Sequence, residues 1–233
     1  NQILTAQTDV IYDNHGTIDK YVGDMVVAFW GAPIEDSQHA EHAVRTALAI
    51  INRVPEVNAQ LSKQGLPEFQ IGIGLAAGPM SVGDMGSTFR RAYTVIGDTV
   101  NLGARLEGLT KFYGVNILVN DNIPADSDPF VWRPIDKVLV KGKHEPVQIY
   151  QPLCFKDKLS QEMKTSLNRY QKALNAYYEQ NWEQAQKAFK TLADAFPDEY
   201  LYELYLERID DLKQNPPPKD WQGVFTHTSK KYN

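Results

Sequence analysis

TIDKYVGDMVVAFWG, residues 17–31, reads as two β-rich runs folded around Gly23-Asp24. Gly-Asp between strand-like segments signals a hairpin, because glycine supplies the positive φ that a tight turn needs. Upstream, Ile3, Leu4, Val10 and Ile11 fall at helical spacing, and Gly16 ends that helix. Downstream, Pro33 and Asp36 introduce a long helix with Ala40, Val44, Ala47, Leu48 and Ile51 on one stripe. FQIGIGLAAG (69–78) is the next strand, and Gly78-Pro79 turns into MSVGDMG. After a polar loop, YTVIG (93–97) is a short strand, and Asp98 caps a helix running to about Tyr113. VNILV (115–119), FVWRPIDKVLV (130–140) and EPVQIYQPL (145–153) are further strands, the last two joined at Gly142. Hairpins interleaved with helices predict an α+β fold with a largely antiparallel sheet.

The chain has 233 residues, with 24 Lys+Arg against 29 Asp+Glu and a net charge of −5. That mild acidity argues against a dedicated nucleic-acid binder, which needs a basic footprint. Hydrophobic residues at 42% supply a core and exclude a disordered chain. Cys154 is the single cysteine, which excludes an internal disulfide and a cysteine-rich zinc site and points to a reducing, cytoplasmic setting. No apolar run approaches the roughly 18 residues of a membrane span. The first residue is Asn1, within what reads as a helix, so a fragment of a longer protein is expected. Composition shifts near Phe155: residues 1–155 hold 12 basic and 17 acidic residues, while 156–233 balance at 12 of each.

Three segments carry candidate chemistry. Lys20 lies on a strand and Asp24 in the turn after it; a carboxylate at a sheet end suits a hard cation such as Mg²⁺, although a hairpin Asp is commonly just a turn former. Asn101 and Arg105 stand i, i+4 on one helix face, with Leu102, Leu106 and Leu109 as the docking stripe. An amide beside a guanidinium can contact phosphate and ribose together. Lys141, at a strand end before Gly142, can offer a point charge to a triphosphate. Taken singly, each also reads as ordinary surface polarity in a solvated turn or helix.

KYVGD (20–24), GSTFRRAYTVIGDTVNLGARLE (86–107) and VLVKGK (138–143) together, in this order and spacing, resemble the class III nucleotidyl cyclase family over residues 1 to about 152. The resemblance implies a ferredoxin-like α+β sheet with flanking helices, here lacking its first strand, and conversion of ATP to 3′,5′-cyclic AMP and pyrophosphate. It implies that Asp24 is the second of two metal aspartates holding two Mg²⁺ or Mn²⁺ ions, and that Lys20 and Thr94 read the purine. Lysine favours adenine, whereas guanine-reading members carry an acid there. Thr94 stands where many members have Asp and is typical of a bacterial subgroup often stimulated by bicarbonate. Asn101 corresponds to the ribose-orienting residue, Arg105 to the one stabilising charge on the α-phosphate, and Lys141 to a triphosphate lysine. Either Arg90 or Arg91 matches a further common arginine.

The family's first metal aspartate lies on a strand before the opening helix, and Asp9 and Asp13, on that helix, do not replace it. Truncation upstream and a weak or inactive fragment are therefore expected. In the family the metal carboxylates come from one subunit and the purine, ribose and transition-state residues from the other, which implies a head-to-tail homodimer. The alternatives are a guanylate cyclase, disfavoured by Lys20, and a degenerate cyclase domain serving as a dimerisation or binding module.

IGIGLAAG is not a dinucleotide fingerprint, since Gly78-Pro79 follows where a helix should start. His39 and His42 read as helix-surface residues rather than zinc ligands, and Asp84 as a structural residue of a hairpin loop. Residues 156–233 form a helical, Tyr-rich extension: Leu167, Tyr170 and Leu174 give one face, Ala185, Ala188, Phe189 and Leu192 another, and Pro197 precedes a third helix to about Gln214. The pattern is similar to a single tetratricopeptide repeat, which cannot bury its own face and should pack on the cyclase domain or a second subunit. The tail resembles extensions of bacterial receptor cyclases, whose cytoplasmic domain reaches the membrane only through upstream segments.

Overall fold

The computed structural model describes residues 2–87, 90–126, 129–140 and 145–227. They form two compact units, the first comprising Asn1–Thr110 and Asn116–Phe130, the second Lys111–Val115 and Val131–Asn233.

The first unit runs α1 (Gln2–Asp13), β1 (Thr17–Val22), β2 (Met25–Phe29), α2 (His39–Lys63), β3 (Ile73–Leu75), β4 (Ser81–Ser87), β5 (Arg90–Ile96), α3 (Asp98–Tyr113, whose last turn belongs to the second unit), β6 (Ile117–Asn120) and α4 (Asn122–Asp126). Gly23, at φ 64°, makes the β1–β2 turn. Trp30 Nε1 donates to the Asn14 carbonyl (2.8 Å) and ties the hairpin to the end of α1. Val10, Ile11, Phe29, Ala40, Val44 and Ala47 are buried, so the apolar stripes of α1 and α2 form the core beneath the hairpin.

The sheet is mixed rather than largely antiparallel. β1–β2 and β4–β5 are separate two-stranded antiparallel sheets, but in the main sheet β3 pairs with β6 in parallel, Gly74 opposite Leu118. The Asn120 side chain brackets the chain after β3, accepting from Ala77 N (2.9 Å) and donating to Ala77 O (3.0 Å). β4 and β5 make one long hairpin where the sequence suggested a polar loop and a short strand, and Asp84 sits on β4 opposite Tyr93, not in the loop. Gly83 and Gly86 of GDMG dilute the apolar period that marks a strand. Asp98 opens α3 from within its first turn; the Gly97 carbonyl accepts from Val100 N (3.2 Å) and so takes the capping position.

The second unit holds β7 (Phe130–Leu139), β8 (Val147–Phe155), α5 (Gln161–Tyr178), α6 (Trp182–Ala195), α7 (Tyr200–Gln214) and β9 (Val224–Thr226). β7 lies between β8 and β9, and β9 runs parallel to it, Val138 opposite Phe225. Ser160 and Asn181 cap α5 and α6 by accepting from Met163 N and Gln184 N. The helices dock on β7: Tyr170 Oη donates to Pro134 O (2.7 Å), Tyr205 Oη to Ile135 O (2.6 Å), and Arg208 pairs with Asp136, which also accepts from Tyr113 Oη (2.7 Å). Tyr205 stacks on Phe189 at 4.7 Å between centroids. Among the described residues no helix is long and apolar enough to cross a membrane.

Candidate active site

Lys20, Asp24, Thr94, Asn101 and Arg105 all lie in the first unit. Lys141 lies outside the described residues, as does the side chain of Arg90; Arg91 is exposed on β5.

The β1–β2 register jumps between Ile18, opposite Ala28, and Lys20, opposite Val27, so Asp19 is the extra residue of a β-bulge. The Lys20 side chain is 51% exposed with its Nζ 3.2 Å from Asp19 Oδ2, whereas the Asp19 side chain is only 2% exposed. That Oδ2 has no hydrogen-bond partner, the ammonium being close enough for an ion pair but not aligned for a hydrogen bond.

Asp24 is exposed in the turn. Glu107, on α3 two residues past Arg105, has its carboxyl pKa raised by burial first and by the negative charge of Asp24 second. The negative charge of Asp24 in the hairpin turn thus reaches α3. Among the described residues no three His, Cys, Asp or Glu side chains gather into a metal cage.

α3 is seated by Leu102 and Leu106, both buried, and by a close approach of β3. A Cβ on Gly74 would collide with Gly103 O and Glu107 N, so glycine lets the helix lie against the strand. Asn101 is exposed and Arg105 half-buried on the same face. Thr94, on β5 opposite Gly83, lies on the strand that leads through Gly97 into α3.

Five buried side-chain polar atoms among the described residues lack a hydrogen-bond partner, and Asp19 Oδ2, Thr94 Oγ1 and Arg105 Nη1 are three of them. Buried polar atoms are nearly always paired, so orphans call for a ligand, an ion, an ordered water or a strain role. No hydrogen bond or ion pair joins the five described site residues to one another. Asp19 escaped the sequence because a bulge leaves no mark in composition, and Glu107 because helix acids are ordinary.

His42 Nδ1 lies 2.7 Å from Asp36 Oδ2. Burial pushes the Asp36 carboxyl up, but the bonds from His42 and Gln38 N outweigh it and bring its pKa below the usual value.

Residues 2–151 match the family model described as adenylate and guanylate cyclase catalytic domain. Adenylate cyclase 1 of Rhizobium meliloti is 39% identical over 145 residues, 62% of this chain and 22% of that protein; the chain thus spans about a fifth of that curated relative's length. The crystal structure of the adenylyl cyclase CyaB from P. aeruginosa superposes with a TM-score of 0.61 at 31% identity, covering 69% of this chain and 83% of that one. The guanylyl cyclase Cya2 superposes with the same TM-score at 30% identity, over 68% and 80%. Motifs, fold and comparisons agree that this chain belongs to the adenylate and guanylate cyclase catalytic domain family.

Proposed function

We propose that this chain is the catalytic region of an adenylate cyclase, making 3′,5′-cyclic AMP and pyrophosphate from ATP in a homodimer. The observation that supports it best is the pair of buried, unpartnered polar atoms, Thr94 Oγ1 and Arg105 Nη1, at the positions the motif resemblance assigns to the purine and the α-phosphate. In this reading residues 1–155 are the catalytic domain and 156–233 a helical extension docked on its penultimate strand. The setting is cytoplasmic, where ATP is plentiful.

Lys20 donates to a bare ring nitrogen of adenine and Thr94 completes the base contact. Asn101 holds the ribose so that its 3′ oxygen faces the α-phosphorus. The new O3′–P bond forms as the bond to the β-phosphate bridging oxygen breaks, and the hydroxyl proton passes to solvent. Arg105 meets the charge that grows on the α-phosphate, and Lys141 holds the triphosphate; this is catalysis by positioning and electrostatics. Asp24 would hold Mg²⁺ or Mn²⁺, two ions per complete site, which supply charge neutralisation and activation of the attacking oxygen. A second copy would cover exposed Tyr21 and Val22 on β1 and Tyr93 and Ile96 on β5.

The test is cyclic nucleotide formation by the full-length protein from ATP and from GTP. Cyclic AMP should dominate, and Lys20→Glu with Thr94→Cys should lower the ATP-over-GTP ratio of kcat/KM. Preference for GTP in the unmodified protein would make it a guanylate cyclase, and no cyclic product at all would leave a binding module.

A further inference from the structure

We propose that Asp19 is a positioning residue for purine selectivity: its buried carboxylate tethers the Lys20 ammonium so that the site accepts adenine and resists guanine. The proposal rests on Lys20 reading the base.

On a regular strand, neighbours point to opposite faces, so an Asp and a Lys in succession do not meet. The bulge between Ile18 and Lys20 breaks that alternation and brings Asp19 Oδ2 to 3.2 Å from Lys20 Nζ. Ion pairs between exposed side chains contribute little. This one differs at its acidic end, because the Asp19 side chain is 2% exposed and its Oδ2 has no hydrogen-bond donor, so the carboxylate is shielded from water although the ammonium is not. The flexible lysine stem, 51% exposed, is otherwise free to swing.

An ammonium has three N–H donors. One faces Asp19 and another remains for a ring nitrogen of adenine. Guanine presents an N–H at the corresponding position, which meets an ammonium as donor against donor. A free lysine would retreat and admit guanine; a tethered one cannot, so Asp19 works against the wrong base as much as for the right one.

The experiment measures kcat/KM for ATP and GTP in the full-length protein carrying Asp19→Asn, Lys20→Ala or both, with a thermal melt on each. Asp19→Asn should lower the ATP/GTP ratio about tenfold, the scale of one close charge pair, chiefly by raising KM for ATP and relieving the block on GTP. In the Lys20→Ala background it should leave the ratio unchanged. A ratio unmoved by Asp19→Asn but lowered by Lys20→Ala overturns the tether and leaves base reading intact. A ratio unmoved by Lys20→Ala overturns both. Equal effects of Asp19→Asn with and without Lys20 make Asp19 merely structural and also overturn the tether. If Asp19→Asn does not fold, Asp19→Glu, which keeps the charge but displaces it, is measured against the same outcomes.

Discussion

Gly74→Ala perturbs the seat of α3 without touching any residue assigned to chemistry. An added Cβ would overlap Gly103 O and Glu107 N, both backbone atoms that cannot rotate away. Ordinary carbon contacts need about 3.5 Å, so α3 must recede from β3 by about 1.4 Å. Overpacking of this kind costs about 1–3 kcal/mol. The helix carries Asn101 and Arg105, and a misplacement of about 1 Å in a catalytic array costs about 10²-fold in rate. Gly108 on the same helix is the control: nothing lies within 4 Å of its would-be Cβ. Gly108→Ala should raise helix stability by about 0.5–1 kcal/mol and leave turnover alone. Urea unfolding and kcat for cyclic AMP formation read both effects. If Gly74→Ala matches the unmodified protein in stability and kcat, the β3–α3 contact does not hold the helix in register for catalysis.

Two further expectations concern the second unit. Arg208→Met leaves Asp136, a fully buried carboxylate, without its guanidinium, and should destabilise the protein by about 3–5 kcal/mol in urea unfolding. His227 has its pKa lowered from 6.5 to about 4, by burial first and by the charge of Arg208 second. Its neutral form is the folded form, so its contribution is fully present above about pH 6.5 and declines as pH falls toward 4. His227→Phe should flatten that part of the curve of melting temperature against pH.

Much of the first unit was legible because its signals are local. Gly23-Asp24 marks the hairpin, and the apolar stripe from Ala40 to Ile51 marks α2. What escaped depends on partners distant in sequence. β9 is a three-residue strand that exists only because β7 offers an edge, and nothing in Val224–Thr226 announces it. The parallel β3–β6 pairing likewise joins residues far apart in the chain. In the site, residue types and spacing singled out Lys20, Asp24, Asn101 and Arg105, and the motif resemblance added Thr94. Only the folded chain reveals that Thr94 Oγ1 and Arg105 Nη1 are buried without partners, or that a bulge turns Asp19 toward Lys20.

The most direct test of a shared-site cyclase mixes two inactivated proteins. In the full-length protein, Arg105→Ala should lower kcat by about 10²–10³-fold with little change in KM, the loss of one transition-state donor. Asp24→Ala should remove a metal carboxylate. If the two residues act in one site from different subunits, a heterodimer gathers both lesions into one site and leaves the other whole. Cyclic AMP formation should then recover on mixing, up to one working site per heterodimer. Heterodimers that form yet show no recovery would contradict the proposed architecture.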